Sequence, residues 1–569
     1  MKILRDLKDY PGQLTGVEKI KYNSNYLRGT INESLVDEIT GSISEEDAQV
    51  SKFHGIYQQT DRALTKERKR QKLEPYFMFM VRVRVPGGIV SSSQWLEMDR
   101  LSDLYGNNTL KLTTRQAFQF HGILKRNLKK QIQIINESLL DTIAACGDVN
   151  RNVMCSPNPN QSGIHGEVDR IAKEVSKHLT PATKAYHELW LENKLVAGGA
   201  VTENEEPLYG KFYLPRKFKI AFAIPPYNDT DIFTNDIGLI AIEKNGRLAG
   251  FNIAVGGGLG NTFGEQQTYP RLGDNIGFCE PDQVIHLIEK IVEIQRDHGD
   301  RENRKVARMK YTIDRKGLDW FKKEIEQKSG VALKPPRPYE FRHNSDNYRW
   351  AEDREGRWHY TVFVENGRVT DTGVVRMKSF LQEAARMDIS DFRLTGNQNV
   401  ILGNILPSDK GKLERLMKKY RVDKTELSGL RLNSLACVAL NSCPLAFAEA
   451  ETYLPSLIDK IDEITRKLGI HQDHITIRMT GCPNGCARPY NAEIAFVGRA
   501  PGIYNLYLGG NREGTRLNRL YKEMLKEEEI LTELEKILGD YATNNANSHA
   551  FGDFVWEKNY VNPDIPLNI

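Results

Sequence analysis

The chain has 569 residues, of which 40% are hydrophobic and 27% charged, and its net charge is +4. This composition is typical of a soluble globular protein with room for about three or four domains, and the small net charge argues against a general nucleic-acid binder. The seven cysteines are too few for a disulfide scaffold, residues 1–10 lack the apolar core of a signal peptide, and no apolar run reaches membrane-spanning length. We therefore expect a cytoplasmic protein with no membrane segment.

Residues 1–70 are polar and rich in charge, and basic residues crowd their end: Arg62, Lys66, Arg68, Arg70 and Lys72. Such a segment is typical of a solvated helix or a partly ordered arm. The functional alternative is a docking segment for a partner protein.

A β–α–β unit is predicted twice. Residues 77–85 alternate in a strand-like pattern, a Pro-Gly-Gly turn follows at 86–88, a helical segment lies near 95–104, and residues 110–123 are again strand-like. The same order recurs in the strand 358–364, a turn at 366–367, the helix 378–387 and the strand-like segment 392–405. Because both units close with Leu-Thr-x-x-Gln, at 112–116 and 394–398, we interpret them as copies that pair about an approximate two-fold axis.

The segments downstream of each unit also repeat, more faintly. Cys146 and Cys155, a helix at 167–179 and strands at 217–224, 237–242 and 250–260 follow the first unit. Two cysteine pairs, a helix at 446–468 and strands at 474–479, 493–497 and 504–514 follow the second. This tandem duplication predicts an α+β fold with mixed α/β sheets. The predicted divisions are an N-terminal arm (1–70), half-domain 1 (71–140), a first substrate domain (141–335), half-domain 2 (336–412) and a metal-bearing second copy (413–569).

Basic residues are concentrated in the first copy. Arg82 and Arg84 alternate along one predicted strand, as do Lys217 and Lys219 along another, so each pair should share a face. Further basic residues lie near turns or on a predicted helix: Arg115, Arg151, Arg304, Lys305, Arg308 and Lys310. Any one of them alone would be read as an exposed cation. Their strands are otherwise apolar, however, and buried cations require anions, which indicates an anionic substrate or cofactor where the copies meet.

Four cysteines dominate the second copy. Cys437 and Cys443 form a C-x5-C pair, and Cys482 and Cys486 lie within T-G-C-P-N-G-C. Four thiolates can bind a 4Fe–4S cluster or a zinc ion, although the five-residue gap is wide for a zinc knuckle. Four buried, inert cysteines are the third possibility.

These motifs, the duplication and the R-V-R-V-P-G-G strand at 82–88 resemble the nitrite/sulfite reductases that contain sirohaem and a 4Fe–4S cluster. Within that family the likeness is to the haemoprotein subunits of NADPH-dependent assimilatory sulfite reductases, and it runs from residues 24–31 and 53–59 to 551–554. The resemblance implies an internally duplicated fold, with ferredoxin-like half-domains and two sirohaem/cluster-type domains.

The resemblance also implies the roles of individual residues. Cys437, Cys443, Cys482 and Cys486 would ligate one cluster per subunit, and Cys486 would also bind the iron of one sirohaem. The residues near the sirohaem would be Arg115, Gln119, Arg216, Arg308 and Asn484. Those around sulfite would be Arg82, Arg151, Lys217 and Lys219. Lys111 stands where the family often has Arg, and this change puts one carboxylate contact in doubt.

The implied activity is the six-electron reduction of sulfite to sulfide, in sulfate assimilation and cysteine biosynthesis. The chain has no nucleotide fingerprint. Electrons from NADPH would therefore come through a separate flavoprotein (alpha) subunit with FAD and FMN. This subunit would dock near residues 1–70 and form a hetero-oligomer with the chain. The alternatives are a sirohaem nitrite reductase, a ferredoxin-dependent sulfite reductase, a dissimilatory enzyme, or a stapled binding protein without redox turnover.

Overall fold

The computed structural model describes residues 10, 12–158, 163–191, 205–372, 375–422, 427–440, 442–545 and 547–564. Its strands form four five-stranded sheets, numbered 1 to 4. Sheets 1 and 3 belong to the two half-domains, and sheets 2 and 4 belong to the two downstream copies. No described helix is both long and apolar enough to cross a lipid bilayer.

Sheets 1 and 3 are antiparallel, and each half-domain contributes one strand to the sheet of the other. In spatial order, sheet 1 consists of Ile56–Thr60, Phe77–Val83, Phe118–Ile123, Leu110–Leu112 and Arg368–Val369. Sheet 3 consists of Trp350–Glu352, Trp358–Val362, Val400–Ile405, Asp391–Leu394 and Ile89–Val90. The fifth strand of each sheet comes from the other half-domain, because Arg368 pairs with Lys111 and Val90 pairs with Phe392. This strand exchange joins the half-domains through backbone hydrogen bonds.

Sheets 2 and 4 have the same topology. Sheet 2 consists of Met154–Cys155, Ile220–Ala223, Ile237–Lys244, Arg247–Val255 and Asp274–Cys279. Sheet 4 consists of Ser434–Ala436, Ile477–Thr480, Ile494–Ala500, Ile503–Leu508 and Arg519–Leu525. In both sheets the first three strands run parallel and the last two are antiparallel to their neighbours. The repeat predicted from sequence is therefore present strand for strand in the downstream copies.

The α-helices cover the sheets. Those of the N-terminal region and half-domain 1 are Gly16–Asn23, Ile31–Val36, Glu45–Val50, Arg62–Arg70, Ser92–Leu104 and Leu128–Glu137. The first downstream copy contains His165–His178, Val284–His298, Met309–Lys316 and Leu318–Ser329. Half-domain 2 and the second copy contain Met377–Met387, Pro407–Tyr420, Gly429–Leu432, Leu454–Lys467, Glu527–Asn544 and Phe551–Glu557.

Residues 12–60 are packed into the protein. Ile56–Thr60 is the edge strand of sheet 1, and Leu27, Phe53 and Ile56 belong to the main hydrophobic core. The buried carboxylate of Glu18 also pairs with Arg301, 2.5 Å away, in the first downstream copy. By contrast, the helix Arg62–Arg70 has no buried residue.

One predicted helix is shorter than its sequence pattern indicates. The segment 446–468 is helical only from Leu454 to Lys467. The backbone N–H groups of Phe447 and Glu451 bond instead to the carbonyls of Gly481 (2.8 Å) and Cys437 (3.1 Å). These tertiary bonds outweigh the local helical preference of residues 446–453.

A buried ion network joins the two downstream copies. Asp231 and Arg488 occupy equivalent positions, each with positive φ at the start of a 3₁₀ turn that precedes the third strand of its sheet. They form an ion pair at 2.8 Å, and Arg478 adds a second cation 2.7 Å from Asp231. The copies thus place opposite charges at one symmetric position and neutralise them across the interface.

We expect Asp231→Asn to lower the free energy of unfolding by about 3–5 kcal/mol, because it leaves two buried guanidinium groups without a carboxylate. Urea denaturation followed by circular dichroism measures this change. The matched control is Glu174→Gln, which removes an exposed pair with Arg170 and should cost about 1 kcal/mol or less. Equal effects of the two substitutions would contradict the role given to Asp231.

Candidate metal centre and anion site

The four cysteines of the second copy are gathered at one edge of sheet 4. Cys437 follows the strand Ser434–Ala436, and Cys482 and Cys486 follow the strand Ile477–Thr480. These strands are parallel neighbours, so their carboxyl ends lie side by side, and the Cys437 N–H bonds to the Met479 carbonyl at 3.2 Å. The loop that carries Cys443 folds back onto Gly481 through the N–H groups of residues 447 and 448. Sequence-distant thiols are thereby brought together.

The thiols are close enough to affect one another's ionisation. Burial and the neighbouring thiols of Cys486 and Cys482 together raise the pKa of Cys437 to about 12, although hydrogen bonds to its sulfur oppose them. Burial and neighbouring thiols likewise raise the pKa values of Cys443 and Cys482 to about 11. Holding these four sulfurs as thiolates therefore requires positive charge among them, which iron or another metal cation supplies.

A cluster and a single ion require different arrangements of the four sulfurs. Among the residues that the structure describes, no three His, Cys, Asp or Glu side chains converge closely enough to hold one metal ion. A zinc ion needs four thiolates about 2.3 Å from one point, whereas a 4Fe–4S cluster is bound by thiolates at its separate corners. Three donors also point at the sulfurs: Thr480 Oγ1 and Gly481 N at 3.4 and 3.3 Å from Cys437 Sγ, and Asn484 Nδ2 at 3.4 Å from Cys482 Sγ.

Cys486 is held where the half-domain and the two copies meet. Its carbonyl accepts a hydrogen bond from Thr114 Oγ1 at 3.0 Å, while its thiol is exposed. The neighbouring Pro483 carbonyl accepts the N–H of Asn261 at 3.1 Å, from the glycine loop of the first copy. A Cβ on Gly260 would lie 2.9 Å from the Asn484 carbonyl, so glycine permits this close approach. The exposed residue Cys486 therefore lies at the junction with the first copy.

The first copy places cations opposite this thiol. Lys217 and Lys219 alternate just before the strand Ile220–Ala223, and the N–H of Arg151 bonds to the Phe218 carbonyl between them at 3.0 Å. Burial and the neighbouring cations together lower the pKa of Lys217 to about 7, although the Cys486 thiol partly opposes them. Burial and neighbouring cations also lower the pKa values of Arg115 to about 9 and of Arg216 to about 10.

The cations of this region have too few counter-charges. They are Arg82, Arg115, Arg151, Arg216, Lys217, Lys219 and Arg308. Within the described chain only Arg308 has a carboxylate within ion-pair distance, that of Asp236 at 2.6 Å. The Nε atoms of Arg82, Arg115 and Arg308 are also buried without a hydrogen-bond acceptor in the described residues. The site therefore fits a group that brings several negative charges.

A cavity of about 240 Å³ opens at this junction. Its walls come from both copies and include Arg216, Lys217, Arg304, Arg308, Gly260 and Asn484. Four residues that the resemblance assigned to cofactor or to substrate thus line one cavity: Arg216, Lys217, Arg308 and Asn484. Only Asn484 among the non-cysteine candidates comes from the second copy.

Arg82 and Gln119 lie at a second side of this region. They are cross-strand partners, and Arg82 donates to Gln119 Oε1 and to Cys146 Sγ, both at 3.2 Å. Tyr57 stands beside Cys146 and Arg151, and burial raises the pKa of its hydroxyl. Tyr57 was not among the candidates predicted from sequence, although residues 53–59 were among the segments that carried the resemblance.

Two groupings of cations predicted from sequence are wrong. Arg84 does not face the site with Arg82: the regular strand ends at Val83, and Arg84 pairs with Asp141 at 2.7 Å. The residues from Arg304 to Lys310 do not share a helix either, because 304–306 form a 3₁₀ turn and Arg308 caps the helix Met309–Lys316. Lys310 points inward and donates to the carbonyls of Gly258 and Gly260 at 2.9 and 3.0 Å, which supports the glycine loop.

Lys111 contacts a carboxylate of the chain itself. Its amine lies 2.9 Å from Glu451, which also pairs with Arg368 at 2.6 Å. Although burial opposes it, these two cations lower the pKa of Glu451 to about 2. Glu451 N also bonds to the Cys437 carbonyl at 3.1 Å, so this triad supports the loop between the first two cysteines.

Comparison with known proteins identifies related sequences along nearly the whole chain. The family model described as nitrite/sulfite reductase ferredoxin-like half domain matches residues 70–138 and 351–420. The model described as nitrite and sulphite reductase 4Fe-4S domain matches residues 172–333, a range whose only cysteine is Cys279. The matched range is thus the first copy, and the four gathered cysteines lie outside it.

Curated relatives are similar end to end. The chain is 55% identical to the sulfite reductase [NADPH] hemoprotein beta-component of Shouchella clausii, over 97% of this chain and 96% of that protein. It is also 55% identical to the protein of the same name from Anoxybacillus flavithermus, over 96% and 95% of the two chains. Among solved structures, Mycobacterium tuberculosis NirA covers 98% of this chain and 99% of its own, with a TM-score of 0.79 at 21% identity, and so shares the fold.

We expect Cys443→Ser to abolish binding of the iron–sulfur cluster, because a serine oxygen is a poor substitute for a thiolate ligand. Iron and acid-labile sulfide per chain measure the loss. Cys279→Ser is the matched control, since Cys279 is a buried thiol on the antiparallel edge of sheet 2. A Cys443→Ser protein with the full iron and sulfide content would contradict the assignment.

Proposed function

Because the chain belongs to the nitrite and sulphite reductase family, and within it to the sulfite reductase haemoproteins, we propose that it reduces sulfite to sulfide. The reaction takes six electrons and provides reduced sulfur for cysteine biosynthesis in sulfate assimilation. The protein is thus an oxidoreductase that carries one sirohaem and one 4Fe–4S cluster. The observation that carries the proposal is the exposed thiol of Cys486, positioned between three neighbouring thiols and a set of uncompensated cations.

Each cofactor has a set of residues that fits it. Cys437, Cys443, Cys482 and Cys486 are the residues that would hold the cluster, and Cys486 would also serve the sirohaem site. When bound, these groups supply stored electrons and an iron that accepts the sulfur of an anion. Sirohaem is a polycarboxylate, and Arg115, Arg216 and Arg308 are the cations that offer it hydrogen bonds. Each charge-assisted bond of this kind contributes about 1.5–3 kcal/mol.

Gln119 and Asn484 contribute to the same cofactor site without charge. Gln119 accepts a hydrogen bond from Arg82, which leaves its amide N–H₂ group as a donor. Asn484 lines the cavity and donates to Cys482 Sγ, so it connects the cluster ligands with the macrocycle. We propose that both residues orient the cofactor rather than neutralise it.

Four cations are proposed to bind the substrate: Arg82, Arg151, Lys217 and Lys219. Sulfite is a small anion, and donors fixed around it bind its oxygens and withdraw electron density from them. The oxygens leave as water, so protons must reach them. A lysine whose pKa is about 7 is suited to this task, because near neutral pH it can both hold and release a proton. Lys217 is therefore our candidate for a proton donor.

Electrons are proposed to come from NADPH through a separate flavoprotein (alpha) subunit with FAD and FMN. The relatives' designation as a beta-component supports a partner chain in a hetero-oligomer. We place the docking site near the end of residues 1–70, where the basic residues crowd. Deleting this whole segment would remove buried residues such as Leu27 and Phe53, so surface substitutions are the better test.

All seven cysteines are free thiols, which is consistent with the reducing cytoplasm, where we propose that the protein acts.

We expect the purified protein, loaded with both cofactors, to convert sulfite to sulfide with six electrons per molecule when a reduced dye is the donor. Dye oxidation and sulfide release, measured together, give this stoichiometry. The ratio of kcat/KM for sulfite to that for nitrite separates the proposal from the nitrite-reductase alternative. A preparation with full iron content that reduces nitrite but releases no sulfide would contradict it.

We expect Lys219→Met to lower kcat/KM for sulfite by about 10²–10³-fold, because a fixed donor to the substrate oxygens is lost. Iron and sirohaem content should stay unchanged. Lys244→Met is the control, since Lys244 is an exposed lysine at the far end of a strand in the same sheet. Unaltered kinetics of the Lys219 variant would rule out its substrate role.

A further inference from the structure

We infer that the electron donor docks on one defined surface, formed by the helix Arg62–Arg70 and the loop of residues 444–447. This surface is called the docking face below. The inference rests on the proposed function, since it assumes a protein donor that reduces the cluster. It goes further in naming where that donor binds and what its binding surface must be like.

A side chain connects the helix to the cysteine loop. Arg62 Nη2 donates to the carbonyl of Pro444 at 2.6 Å, and Arg62 Nη1 donates to the carbonyl of Ala446 at 3.1 Å. Pro444 directly follows Cys443 in the chain. A protein bound to this helix is therefore brought to the short loop that begins at a cluster ligand.

The helix contributes almost nothing to the core. None of its residues is buried, and Asp61 caps it by accepting the N–H of Leu64 at 2.9 Å. A nine-residue helix is marginal in water without packing, and like charges four residues apart, as in Arg62/Lys66 and Lys66/Arg70, destabilise it further. Such a helix is expected where a partner covers it.

The two segments also expose large apolar side chains. Leu64 on the helix is 48% exposed, and Leu445 and Phe447 on the loop are 62% and 44% exposed. Apolar side chains ringed by charge are typical of protein–protein contact surfaces. They favour a folded protein as the occupant, because a nucleic acid would gain little from Leu445 and Phe447.

The charge of the helix sets the character of the partner. It carries Arg62, Lys66, Arg68, Lys69 and Arg70 against the single acid Glu67. Complementarity then requires an acidic surface around the donor's redox group, here the flavin of the alpha subunit. Because Cys443 lies at the docking face and Cys486 faces the cations, electrons and sulfite approach the centre by different thiols and do not compete.

The test uses a double charge reversal, Lys66→Glu with Lys69→Glu, in the full chain loaded with cofactors. Neither lysine forms an ion pair in the described structure, so the fold should be preserved. The matched control is Arg415→Glu with Lys418→Glu, an equally spaced, exposed pair on the helix Pro407–Tyr420. Phe447→Ser tests the apolar part separately.

Each variant is assayed with NADPH plus the flavoprotein and with a reduced dye. We expect the Lys66/Lys69 variant to lose about tenfold or more in kcat/KM for the flavoprotein and to show a weaker dependence on salt. Phe447→Ser should lose activity with the flavoprotein in the same direction. Dye-driven sulfite reduction and the iron content should stay at the unsubstituted level in both, and the control pair should match the unsubstituted protein throughout.

Three outcomes would overturn the inference: an unchanged rate with the flavoprotein, an equal loss in the control pair, or a parallel loss with the dye. So would evidence that the helix binds a second copy of this chain, seen as a dimer by light scattering that the reversal dissociates while the flavoprotein rate stays the same. If the unsubstituted protein itself fails to reduce sulfite with the dye, the proposed function fails instead. The two failures are therefore distinguishable.

Discussion

Positive charge without enough negative charge is the constraint on which the centre of this protein depends. Arg115, Arg216, Lys217 and Lys219 are held close together, and burial lowers their pKa values, in part well below the ordinary range. Within the described residues only Asp236 offers a carboxylate at ion-pair distance, and Arg308 already occupies it. The surrounding sheets must hold these like charges close together, against their mutual repulsion, until an anion binds. The site is therefore preorganised, and anionic ligands should stabilise the folded chain as well as react in it.

Duplication explains how cations and thiols come to face each other. Sheets 2 and 4 share one topology, and each places functional residues around the same strand positions. The first copy carries lysines just before its second strand. The second copy carries cysteines just after its first and second strands. The pair of Asp231 and Arg488 shows the same divergence in a structural role, because equivalent positions carry opposite charges.

Local patterns predicted the repeated elements, but not the contacts between them. The helix at 92–104 and the strands on either side of it follow from periodicity and turn residues, and so does their second copy. The true start of Leu454–Lys467 was missed because hydrogen bonds to Gly481 and Cys437 hold the preceding residues, and those partners are distant in sequence. The partners of Arg84 and Lys111 were missed for the same reason, since Asp141 and Glu451 lie on other elements. Spacing identified the four cysteines, whereas the resemblance supplied the roles of the separate cations, which the structure brings into one region.

The exchanged strands of sheets 1 and 3 have a consequence for the history of the chain. Each half-domain leaves one edge of its sheet incomplete, and the other half-domain fills it in the same way. A mutual, symmetric contact of this kind is what two identical molecules make about a two-fold axis. In an ancestor with a single copy, association of two molecules would satisfy the same edge, which is consistent with self-association before gene fusion. The present chain thus has the arrangement of a covalently linked dimer, in which the two halves carry different functional residues.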